Sequence, residues 1–168
     1  MGMISTTMVA SVVRRIERLD QAGRERMLDE VVTSQPEPTG FVLALSRMGL
    51  LASELDHVLH VLFVIAECFR MKVRKPLPQI TKEMLEVAAR KISAMGKLLQ
   101  GDADEAERMT GMIVENHKER NLFAYVVGYL DEHGLTQPSE AHKHAVFAAA
   151  VVLEVFMQAA AQTEGAAE

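Results

Sequence analysis

Tryptophan is absent from the 168-residue sequence, and aromatic residues make up only 5% of it. The hydrophobic share is nevertheless 49%, so the core must be built from valine, leucine, alanine and the 11 methionines. Alanine, leucine and methionine are strong helix formers. A charged share of 24% is not typical of a disordered chain. The composition therefore favours one all-helical domain, for which the length is suitable.

The sequence also has only one cysteine, and its 18 basic residues are outnumbered by 23 acidic ones. The single cysteine, Cys68, cannot form an internal disulfide, which favours a cytoplasmic location. The formal net charge of −5 argues against a protein that coats nucleic acid, since such a protein needs a basic face. One cationic run precedes two prolines and suits a helix C-terminus better than an anion site; it consists of Arg70, Lys72, Arg74 and Lys75. We therefore expect no nucleic-acid partner.

Long apolar runs and glycine-rich loops are missing as well. The longest apolar stretch, AVFAAAVVLEVFMQAAA, is interrupted by Glu154, so it falls short of the roughly 20 residues of a membrane span. The N-terminal MGMISTTMVASVV lacks the basic residues of a secretory signal. The 10 glycines do not form a phosphate-binding loop. No Ser-His-Asp arrangement is legible, so an enzyme is not favoured. No membrane partner is expected, and a divalent metal is the only cofactor left open.

Apolar residues at helical spacing predict five helices and no convincing strand. Proline and glycine mark the breaks, most clearly in TSQPEPTG (33–40), which is not expected to continue a helix. Short connections favour antiparallel neighbours. Two of the helices, 40–71 and 102–131, are each interpretable as one helix or as two. We predict an all-α, up-and-down bundle of about five helices in a single domain (1–168), with helices over 5–32, 40–71, 81–99, 102–131 and 138–162 and a frayed tail over 163–168.

The second and fifth predicted helices have more apolar surface than one packing partner usually covers. This pattern favours a homodimer with a helix–helix interface. The predicted function is then binding, as an adaptor, regulatory or assembly module, with a second protein partner also conceivable. A monomer that buries both faces internally is the alternative. The interface candidates are Val61, Val64, Met71, Val152 and Phe156.

Glu54 and His57 form a Glu-x-x-His pair, whose side chains share one face of a helix. Di-iron carboxylate bundles use this spacing twice, together with two further glutamates. The second copy of the pair is missing here. Glu115 and Glu119 stand one turn apart on the predicted helix 102–131 and could supply carboxylates. A metal site inside the bundle is therefore the alternative function, with Glu54, His57, Glu115 and Glu119 as ligands.

Seven consecutive polar residues, ENHKERN (115–121), interrupt the apolar pattern of the predicted helix 102–131. They cover every face of a helix with 3.6 residues per turn, so some must point inward if the helix is continuous. Either the segment is two helices joined here, or it forms a buried polar layer together with ELDHVLH (54–60). Besides the metal candidates, that layer would contain Asp56, His60, His117 and Arg120.

Overall fold

The computed structural model describes residues 2–98 and 103–166, and within these residues every regular element is a helix. The all-helical prediction is confirmed, but the described residues form eight α-helices in one domain instead of about five. They are α1 (Thr6–Glu17), α2 (Gln21–Ser34), α3 (Pro36–Leu43), α4 (Ala52–Val73), α5 (Lys82–Leu98), α6 (Ala103–Asn116), α7 (Arg120–Glu132) and α8 (Glu140–Gly165), with a short 3-10 helix (Ala44–Met48) after α3.

The predicted helix 5–32 is two helices, because the chain turns after Glu17 and starts a new helix at Gln21. The Asp20 carboxylate accepts the backbone N–H of Gly23 at 2.7 Å and so caps α2. Such a cap satisfies one of the N–H groups that a helix start leaves without a partner. The periodicity of the apolar residues continues across this turn, which explains why the sequence suggested one helix.

The predicted break over 33–40 contains the start of a helix instead. Pro36 is the first residue of α3, a position where its missing N–H costs nothing. The predicted helix 40–71 combines the end of α3, the 3-10 helix and α4. Gly49, with a φ of 89°, ends the 3-10 helix in the left-handed conformation that glycine adopts without strain.

The predicted helix 102–131 is also two helices, α6 and α7, which are separated by His117–Glu119. ENHKERN therefore contains the junction between two helices, the first of the two alternatives for this segment. α8 begins after Ser139 and continues to Gly165, so the first part of the predicted tail 163–168 is helical. The predicted boundary at 99–102 lies outside the described residues.

α8 is the central helix of the fold, since it packs against α4 and α5 and also contacts α3 and α7. Phe69 of α4 and Phe156 of α8 stack with their ring centroids 6.3 Å apart. Four of the five predicted interface residues lie in this core with at most 1% of their surface exposed: Val61, Val64, Val152 and Phe156. Met71 is half-buried. A single chain therefore already covers these four residues, and the homodimer stays a prediction.

One helix of the described part, α8, is long and apolar enough to cross a membrane by length and composition alone. Within its most apolar window, 61% of the residues are buried inside the protein. The core helix of a protein that does not cross a membrane is commonly just as long and apolar. The length and apolar composition of α8 are therefore weak evidence for a membrane span.

Candidate functional site

The four predicted metal ligands do not converge. Glu54, near the start of α4, accepts the N–H of Leu51 at 2.9 Å and contacts His142 of α8 with its other oxygen. The Leu51 hydrogen bond, followed by the His142 contact, lowers the pKa of Glu54. Glu115 is exposed at the end of α6. Across the described residues, no group of three or more His, Cys, Asp or Glu side chains is placed to hold a metal ion.

Glu119 has a different environment from the one predicted. It is only 3% exposed, and its carboxylate accepts the N–H of Ile4 at 2.8 Å and pairs with Lys72 of α4. Asn121 donates to the carbonyl oxygen of the same Ile4 at 3.0 Å. The start of α7 therefore binds the N-terminal segment to the body of the fold, which is a structural role for a buried ion pair.

The predicted polar layer is also only partly formed. Asp56 and Arg120 are exposed, whereas His60 and His117 are half-buried in different places. His57 and His60 reach α7 about one to two turns beyond ENHKERN. There His57 Nδ1 lies 2.9 Å from the Tyr129 hydroxyl, and His60 Nε2 lies 2.8 Å from the Tyr125 hydroxyl.

A third histidine completes this histidine–tyrosine cluster, which consists of His57, His60, Tyr125, Tyr129 and His133. The His133 ring lies 4.2 Å from the rings of both His57 and Tyr129, and the His60 ring stacks on Tyr129 at 4.5 Å. Burial, aided by the charge of His133, lowers the pKa of His57 and lowers that of His60 to about 4. Burial also raises the pKa of Tyr125 and raises that of Tyr129 to about 12. The His57 and His60 imidazoles and the two tyrosine hydroxyls are therefore neutral at pH 7, and their hydrogen bonds hold α4 to α7.

Acidification is expected to destabilise the fold through His60. Its pKa of about 4 in the folded state lies below the ordinary 6.5, so only the unfolded chain binds the proton between these values. The stabilisation is complete above about pH 6.5 and is lost as the pH falls towards 4. A pKa shift of this size corresponds to a contribution of roughly 3 kcal/mol to the unfolding free energy. Because the ring is partly accessible to solvent, we expect a smaller contribution of about 2 kcal/mol.

Urea unfolding followed by circular dichroism, from neutral pH down towards pH 4, would measure this loss. His60→Gln should reduce the pH dependence of the unfolding free energy. An equal pH dependence in wild type and His60→Gln would contradict the assignment.

A separate pocket of about 460 Å³ lies between α5, α6, α7 and α8. Its apolar lining comes from all four helices and consists of Ile92, Met95, Ile113, Phe123, Ala150, Leu153, Met157 and Ala161. The α8 members are spaced three or four residues apart, so they form one continuous face of that helix. The polar lining consists of Lys91, Asn116, His117, Lys118, Glu154 and Gln158.

Glu154 is the polar centre of this pocket. Its side chain is 9% exposed, and its Oε1 accepts from Lys91 Nζ at 2.7 Å and from Gln158 Nε2 at 3.2 Å. Lys91 approaches from α5 with 56% of its side chain exposed. A buried carboxylate costs several kcal/mol unless it is paired and hydrogen-bonded. The signal in the sequence is the single acidic residue inside the apolar run of α8.

His117 joins the pocket from the break between α6 and α7. Its Nδ1 accepts the N–H of Glu119 at 3.1 Å, so the neutral ring carries its proton on Nε2. Burial lowers the pKa of His117, although Glu154 acts in the opposite direction. The ring lies 4.6 Å from that of Phe123. The pocket therefore contains a neutral imidazole beside an aromatic wall and a paired carboxylate.

The pocket between α5, α6, α7 and α8 combines space for a ligand with a buried, paired carboxylate in its wall. Comparison of the chain with protein-family models, with curated proteins and with solved structures found no match.

Proposed function

We propose that the protein acts by binding a small amphipathic molecule in the pocket between α5, α6, α7 and α8, as a ligand-responsive adaptor or regulatory module. The observation that carries this proposal is the Glu154 carboxylate, which is 9% exposed in the wall of a pocket whose lining is mostly apolar. An alanine or leucine at this position would avoid the cost of burying a charge.

The size and lining of the pocket support a small-molecule ligand. Ligand pockets commonly have volumes of roughly 300–1,000 Å³ and combine apolar walls with a few polar groups that orient the ligand. The volume of about 460 Å³ lies in this range. Met95 and Met157 line the pocket, and methionine side chains adapt to ligands of different shape.

The polar groups of the pocket favour recognition over catalysis. Serine, threonine and cysteine, the usual hydroxyl and thiol nucleophiles, are absent from the described residues that line it. His117 is the only imidazole there, and its Nδ1 is occupied by a backbone N–H. Cys68 is fully buried in the core, and burial raises the pKa of its thiol to about 12, which makes it unreactive.

Binding can be tested with three compounds that share one apolar body and differ in charge: naphthylmethylamine, naphthylmethanol and naphthoate. Isothermal titration calorimetry should detect binding of at least one of them to wild type. Ala161→Trp places a large side chain at the pocket from an exposed position on α8 and should weaken that binding by at least about tenfold.

Ala124→Trp is the matched control, because Ala124 is also exposed but lies on α7 away from the pocket lining. It should leave the affinity unchanged. If no compound of the series binds, or if Ala161→Trp binds as well as wild type, the pocket is not the binding site.

A further inference from the structure

We infer that the ligand of this pocket is an organic cation, whose charged nitrogen takes the place at Glu154 that the Lys91 ammonium occupies in the structure. This inference rests on the proposed function and adds to it the chemical class of the ligand. It also gives Lys91 a role, as a tethered ammonium that competes with the ligand.

The geometry of the Lys91–Glu154 pair is asymmetric. The carboxylate is fixed inside the pocket on the central helix α8, with 9% of its side chain exposed, whereas the lysine side chain is 56% exposed on α5. The flexible lysine can therefore withdraw into water at little cost, because most of its stem is already solvated. Glu154 cannot leave, and it needs a positive partner for as long as it is charged. A cationic ligand would provide that partner.

The other charged and polar groups of the pocket are consistent with a cation. Lys91 is neutralised by Glu154, and Gln158 donates to the same carboxylate oxygen, Oε1. An anionic ligand would bring a second negative charge next to Glu154, in a chain whose formal net charge is already −5. Lys118 stands at the pocket as an exposed cation, so attraction of an anion there is the competing outcome that the experiment must separate.

The apolar wall suits the same class of ligand. Phe123 presents an aromatic ring to the pocket, and the faces of aromatic rings attract organic cations. Leu153 and Met157 flank Glu154 on the same face of α8 and would contact an apolar body attached to the charged nitrogen.

The test compares the affinities of the three naphthyl compounds for wild type, Lys91→Met and Glu154→Gln. Wild type should bind the amine at least about tenfold more tightly than the alcohol or the carboxylate. Lys91→Met removes the competing ammonium and should tighten amine binding by up to about tenfold. The Glu154 carboxylate is then no longer paired with Lys91, so the amine does not have to displace it. Glu154→Gln should abolish the preference for the amine.

Two further variants separate competition from simple damage. Lys91→Gln keeps a hydrogen-bond donor without the charge and should also bind the amine more tightly, which covers the case in which Lys91→Met does not fold. Lys143→Met removes another lysine–glutamate pair that is exposed on α8, and it should leave amine binding unchanged.

The results distinguish the two proposals. If the alcohol or the carboxylate binds best, or if both Lys91 variants weaken amine binding or leave it unchanged, the cation inference is overturned while the pocket remains a binding site. If no compound binds to any variant, the proposed function itself fails.

Discussion

Val152→Asp is expected to unfold the protein rather than to separate two copies of it. Val152 is 1% exposed at the centre of α8, so the substitution buries an unpaired carboxylate in the apolar core. Burial of an unpaired charge belongs to the mutations that cost more than about 4 kcal/mol, which is a large part of the roughly 5–15 kcal/mol that holds a typical domain folded. Loss of helical circular dichroism and of a cooperative unfolding transition would verify this expectation.

Val146→Asp is the matched control, because Val146 lies on the same helix and is 37% exposed. It should keep the fold and change the unfolding free energy by less than about 1 kcal/mol. A folded Val152→Asp monomer, obtained from a wild type that is dimeric by light scattering, would support the homodimer prediction and contradict the burial described above.

Glu119→Ala is expected to reduce the unfolding free energy by about 3–5 kcal/mol, because it leaves a buried charge without its partner. Lys72 keeps only 14% of its side chain exposed, and its ammonium would lose the Glu119 carboxylate. The N–H of Ile4 would lose its acceptor in the same variant. Chemical denaturation at neutral pH measures the effect.

Glu115→Ala removes an exposed carboxylate four residues earlier in the chain, and its effect should stay within about 0.5 kcal/mol. The double change Lys72→Met with Glu119→Leu removes both charges together and should recover part of the loss. If Glu119→Ala and Glu115→Ala are equally stable, the ion pair does not support the N-terminal segment.

The helical class of the fold could be predicted because the apolar periodicity of each segment is a local property of the sequence. The number of helices could not, because the breaks depend on single polar contacts. In the predicted helix 5–32, the break occurs where Asp20 caps the start of α2. In the predicted helix 102–131, Glu119 is held at the break by Lys72 and Ile4, which are distant in sequence. Pro36 has the opposite effect, since a residue that suggests a break begins a helix.

The candidate site was predictable only in part, for the same reason. The sequence pattern indicates His57 as a metal ligand and His60 as part of a polar layer with residues 115–121. The break at Glu119 instead makes α7 a separate helix, whose Tyr125 and Tyr129 are the hydrogen-bond partners of these histidines. These tyrosines stand four residues apart, as the histidines stand three apart, so both pairs share a helical face. Glu154 could have been noticed as a lone acid in an apolar run, but its pairing with Lys91 depends on the packing of α5 on α8.

The histidine–tyrosine cluster also determines what ultraviolet spectroscopy can report about this protein. The chain has no tryptophan and two tyrosines, and both tyrosines belong to the cluster. Its tyrosine emission therefore comes entirely from one contact, where α4 meets α7, and carries no averaged signal from elsewhere in the fold. A change of fluorescence intensity in this protein can be assigned to that contact without any introduced label.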